Sequence, residues 1–103
     1  MIMVAKLSNG EETIGVFTHL EFDPELEYEI ENPVSIGVQV DQQGQGQLAM
    51  GPAMPFAEDG ETMKLRRQDY IYTYKPRSEV VDQYKKLFGS PILMPEKPNL
   101  ILG

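Results

Sequence analysis

Five of the nine basic residues, Lys64, Arg66, Arg67, Lys75 and Arg77, fall in one short segment, where Tyr70, Tyr72 and Tyr74 alternate with Ile71 and Thr73. Cations that displace counterions from phosphates, set beside aromatic faces that stack on bases, are the chemistry of single-stranded nucleic-acid binding. The same tyrosines would also fill one side of a strand at a helix or subunit contact, and this second use is favoured because tyrosine is common in strands. The opposite chemistry lies upstream. Eight of the sixteen carboxylates sit between Glu11 and Glu31 with no lysine or arginine among them. Glu25, Glu27, Glu29 and Glu31 alternate, but neighbouring teeth of such a comb are about 6.6 Å apart, too far to share one cation easily. A solvated face, or one that meets the basic segment of a neighbouring subunit head to tail, fits the spacing better. His19 is the single histidine and has no serine or cysteine nucleophile motif beside it, so a structural role is expected and catalysis is not.

Composition narrows the classes further. A chain of 103 residues makes one small domain that buries about 65% of its unfolded surface. With no cysteine and one histidine, no disulfide framework, thiolate metal site or zinc site is available, and no cofactor is expected. The absence of cysteine suits a reducing, cytoplasmic setting. No window approaches the roughly 18 apolar residues of a membrane span, so a soluble protein without a membrane partner is expected. The net charge of -7 disfavours a general electrostatic grip on nucleic acid.

The elements that must position these groups are mostly strands. "MIMVAKL" is a β-prone run, and Asn9-Gly10 predicts a type I′ hairpin into "TIGVFTHL", where Gly15 marks a bend or a close backbone approach. Asp23-Pro24 turns the chain into "ELEYEIEN", whose Leu26, Tyr28 and Ile30 form an apolar face. Asn32-Pro33 is expected to interrupt that strand before "VSIGVQV", which carries Gly37, giving one strongly bent strand or two short ones. "DQQGQGQ" reads as a hairpin tip. A weak strand near Leu48, a Gly-Pro break and an Asp59-Gly60 turn lead to "TMKLRR" and then to "DYIYTYK". "AMPFAED" reads as either an apolar contact patch or a loop plugging one end of the sheet. Ser78 is a candidate N-cap for an amphipathic helix buried through Val80, Val81, Tyr84, Leu87 and Phe88, with Gly89 as its C-cap. The proline-rich tail, 90–103, can form neither a regular helix nor a central strand.

Leu7, Asn9, Gly10 and Gly15 match without gaps the first signature of the Sm-like proteins: leucine, asparagine-glycine, then glycine eight positions after the leucine. The stretch "LRRQDYIYTYKP" is similar to the second signature, an aliphatic-Arg-Gly triplet, with Leu65 and Arg66 in the first two places and Arg67 in place of the glycine. In layout, the "NP" before a β run, the "MPFA" of Met54 to Ala57 and the helix after the last strand resemble the Sm-like proteins of tailed phages of marine cyanobacteria. The resemblance spans residues 1–89. It implies a mostly β fold, a small strongly bent five-stranded Sm-like (SH3-like) barrel with one C-terminal α-helix. It also implies a homo-oligomeric ring joined fourth strand to fifth, and single-stranded RNA bound at the pore, in the cytoplasm of a host cell for a phage protein. The RNA-contacting positions it implies are Arg66, Arg67, Asp23 and Glu27; the family's aspartate and asparagine fall on Asp23 with Glu27 or, in the other register, on Glu21 with Glu25. Lys64, Tyr70, Tyr72 and Tyr74 are the expected subunit interface. The alternative is a ring that keeps this architecture and recognises a protein partner through its acidic face or the Met54 to Phe56 segment.

Overall fold

The computed structural model describes residues 1–88, so the Gly89 C-cap and the tail expected over 90–103 lie outside the described residues. Six antiparallel strands form one open sheet: β1 (Ile2–Leu7), β2 (Glu12–His19), β3 (Leu26–Val40), β4 (Gly46–Pro52), β5 (Met63–Arg66) and β6 (Tyr70–Tyr74). A 3-10 turn (Arg67–Asp69) joins β5 to β6, and helix α1 (Ser78–Phe88) follows. The strand order is β4-β3-β2-β1-β6, with β5 also on β3.

Six strands stand where five were expected, and the reason lies in β3. It is a single strand, bent rather than interrupted at Asn32-Pro33. Ile14 pairs with Val34 and Val16 with Glu31, so Gly15 alone faces two residues of β3. Such a bulge bends a strand, and it is the place where proline, with no N–H for the ladder, does no harm. Asn32 takes a left-handed φ of 52° there, a conformation asparagine tolerates better than most residues. Gly15 is required by closeness: a Cβ at this position would overlap Ile30 Cγ2 and lie 2.9 Å from the Glu31 carbonyl oxygen. Gly37 has nothing within 4 Å and marks no bend. Beyond the bend, β4 pairs with Val34–Val40, and before it β5 pairs with Leu26–Ile30. The chain leaves the sheet between Ala53 and Thr62, where β3 turns, and this excursion divides one long strand into two.

The turns are tight, though of another kind than Asn-Gly alone suggests. Gly10 donates to Leu7 O (2.9 Å) and Leu7 N–H to Glu11 O (2.7 Å), with positive φ at Gly10 but not at Asn9. This is a type I turn closed by a left-handed glycine, not type I′. Asp41–Gln45 repeats the pattern, with Gly44 as its glycine.

Alternation divides the apolar residues between the two faces of the sheet. One face gathers Ala5, Phe17, Ile30 and Leu65 in the hollow of the curl. The other presents Val4, Ile14 and Val34, covered by Tyr84 and Leu87 of α1. The helix starts at Ser78 rather than after it: Arg77 O accepts from Val80 and Val81 N–H, while the Ser78 hydroxyl turns to Glu79. Its apolar stripe is as the sequence predicts. Tyr84 Oη donates to Asn32 O at 2.8 Å, which ties the helix to the bend in β3. Burial pushes that phenol's pKa upward.

Candidate functional site

The first half of β3 brings the two ends of the sequence signatures together. β2 ends at His19, and the loop back into β3 is set by Asp23, whose Oδ1 accepts from the N–H groups of Glu25 and Leu26, each at 2.8 Å. Those two donors hold the Asp23 carboxyl below its ordinary range, since they favour the ionised form. The register Leu26↔Arg66 then carries the 3-10 turn alongside the loop. His19, Glu21, Asp23, Glu25, Glu27 and Arg67 line an open bowl of about 360 Å³.

Glu27 is its centre. Arg67 Nη1 donates to Glu27 Oε1 at 3.4 Å, and His19 Nε2 lies 3.7 Å from Oε2. The Tyr70 hydroxyl is raised above its ordinary pKa first by burial and then by its hydrogen bond to Glu27. Tyr28 stands behind, edge-on to His19 (5.3 Å), Tyr70 (5.6 Å) and Phe17 (5.5 Å). The Glu27 side chain is 19% exposed, whereas that of Arg67 is 83% exposed and free to reach outward. The bowl thus offers donors in Arg67 and His19, acceptors in Asp23 and Glu27, and two planar groups on which a base can stack.

Of the four residues expected at an RNA site, Asp23, Glu27 and Arg67 are brought to one place. Arg66 is not among the lining residues. Its Nε and Nη2 reach Asp69 at 3.2 and 3.1 Å while its backbone N–H donates to the same carboxylate at 2.8 Å. Each group favours the other's charged form, which raises the guanidinium's pKa and lowers the carboxyl's. Arg66 thus holds the turn that carries Arg67. His19 belongs to the bowl, and the only sequence signal for this was its place at the end of β2.

The expected tyrosine row is broken. A register shift between Lys6 and Leu7 sets Tyr70 opposite Leu7 and Tyr72 opposite Lys6. Tyr70 therefore packs into the hollow with Tyr28, and only Tyr72 and Tyr74 share the other face, 51% and 39% exposed. Tyr74 Oη is hydrogen-bonded to Glu12. Burial, with that carboxylate second, pushes the Tyr74 pKa up to about 12. The acidic comb meets basic partners inside the chain: Lys64 Nζ lies 3.9 Å from Glu29 Oε2, and Thr62 Oγ1 donates to the same oxygen at 2.8 Å.

Among the described residues, no group of three or more His, Asp or Glu could hold a metal ion, and no helix is long and apolar enough to cross a membrane. Comparison with protein-family models and with curated proteins finds no match to this chain.

Proposed function

We propose that this chain is an Sm-like subunit that closes head to tail into a homo-oligomeric ring and holds single-stranded RNA in its bowls, serving RNA metabolism without a catalytic step of its own. The observation that carries the reading is the meeting of loop 20–25 with the 67–69 turn. The loop lies beyond the first signature stretch and the turn begins at the third position of the second, and their meeting sets an exposed arginine and an imidazole on either side of Glu27, with an aromatic cluster behind. The strand order supports the ring. Among the described residues, β6 at one end of the sheet, and β4 with β5 at the other, each have a strand partner on one side only. Two different unpaired edges at opposite ends suit a head-to-tail contact, which closes when the rotation between subunits permits.

A second reading, a ring that recognises a protein, is favoured by a separate surface. Val38 and Leu48 pair directly across β3 and β4, and with Val40 they extend the apolar face beyond the helix at 73%, 41% and 67% exposure. Fluorescence anisotropy with labelled uridine-rich and adenosine-rich oligonucleotides at low salt separates the two, because electrostatic binding is strongest there. Saturable retention of either oligonucleotide supports the first reading. No binding by an assembled ring leaves the second.

A further inference from the structure

The chain has one histidine, and the fold sets it against the carboxylate that holds the arginine of the bowl. His19 Nε2 lies 3.7 Å from Glu27 Oε2, while Arg67 Nη1 donates to the other oxygen of the same carboxylate at 3.4 Å. From β3 the imidazole also meets the edge of Tyr28, and Tyr70 of β6 stands behind that ring and bonds to Glu27. The loop adds Glu21, Asp23 and Glu25, and on the β1 side the Met1 ammonium donates to Phe17 O at 3.3 Å. Four carboxylates thus share the bowl with one guanidinium.

We propose that His19 is a proton switch on Arg67: the imidazolium takes up Glu27, and the guanidinium so released reaches the phosphates of a bound strand. Histidine is the side chain that ordinarily changes charge between pH 5 and 8, and His19 is the single one in the sequence. Asp23 stays ionised across that range, because two backbone N–H groups hold its carboxyl below the ordinary carboxylate range. A neutral imidazole brings no charge to compete for Glu27, which is then paired with Arg67. A protonated one stands within ion-pair distance of Oε2, and a carboxylate neutralised on that side has less hold on the cation at Oε1. Arg67 is the partner that yields, since its side chain is 83% exposed against 50% for His19, and an exposed pair is weakly held. The same proton removes one unit of the negative charge that repels phosphate from the bowl. This rests on the RNA reading for its ligand alone, because the switch acts in the free protein.

Two measurements keep the switch and the RNA reading apart. In proton–nitrogen correlation spectra of the free protein, the Arg67 Nε–H signal, assigned by its loss in Arg67→Ala, should move between pH 7.5 and 5.5 in step with the one imidazole signal, and should stay in place in His19→Gln. In anisotropy at constant ionic strength, the labelled oligonucleotides should bind about tenfold more tightly at pH 5.5 than at pH 7.5, within the roughly tenfold per pH unit that uptake of one proton allows. His19→Gln should bind equally at both. An Arg67 signal that does not follow the imidazole, a pH dependence that survives in His19→Gln, or binding of equal strength at both pH values in the parent overturns the switch. A signal that follows the imidazole with no oligonucleotide bound at either pH upholds the switch and overturns the RNA reading alone.

Discussion

Replacing Gly15 by alanine tests the packing that bends the sheet. The added methyl would overlap Ile30 Cγ2 in the hollow and lie 2.9 Å from the Glu31 carbonyl oxygen. The first neighbour is a fully buried side chain and the second is backbone inside the β2–β3 ladder, so neither can move without loosening the pairing around the bulge. Overpacking of this kind costs about 1–3 kcal/mol, and the backbone contact places Gly15→Ala toward the upper half, at about 2–3 kcal/mol. Gly37→Ala is the internal control. Nothing lies within 4 Å of the new methyl, and reduced freedom of the unfolded chain should leave stability equal or higher by about 0.4–1 kcal/mol. Urea denaturation at one fixed protein concentration measures both, with the slope checked for constancy. A cycle adds a sharper criterion. Ile30→Ala alone should cost about 2–5 kcal/mol. Because it removes the overlapping methyl, the double variant should be more stable than the sum of the two losses by about 1 kcal/mol or more. Gly15→Ala within about 0.5 kcal/mol of the parent, or Gly37→Ala equally damaging, would refute the reasoning.

Three further outcomes follow from named contacts. Tyr84→Phe removes the bond to Asn32 O and should cost about 1 kcal/mol in the same denaturation assay, with the helical signal retained. Arg67→Ala should weaken oligonucleotide binding in the anisotropy assay about tenfold. Arg66→Ala, which frees Asp69 and loosens the turn, should weaken it less and lower stability instead. The raised pKa of Tyr74 means that the folded state holds this phenolic proton more tightly than the unfolded state. Its contribution to stability is complete below pH about 10 and is lost as pH rises toward 12. Tyr74→Phe should flatten that alkaline loss and remove one late-titrating phenol from the phenolate absorbance curve.

The features legible in the sequence were those governed by neighbours along the chain. The apolar stripe of α1, the alternation of Leu26, Tyr28 and Ile30, and the Asp23 turn all stand as local pattern predicts. What depends on a partner strand was hidden. Gly15 and Gly37 look alike in sequence, yet only Gly15 is pressed by a neighbour, because the bulge at Asn32-Pro33 folds β3 back over it. The tyrosine row reads as one face by alternation, and a bulge against β1 sends Tyr70 to the other. Arg66 and Arg67 are adjacent and chemically identical, and the turn assigns one to Asp69 and the other to Glu27. The separation of β4 from β5, by contrast, is legible in the Gly51-Pro52 break and the Asp59-Gly60 turn; only the strand count implied by the Sm-like resemblance, five, differs.

Ring assembly and the bowl are both open to one measurement, native mass spectrometry with and without a mixed RNA pool. The expected result is a single closed species between pentamer and heptamer that gains mass by bound single-stranded RNA, with the gain reduced in Arg67→Ala. A monomer at micromolar concentration, or a ring whose mass the RNA pool leaves unchanged, would contradict it.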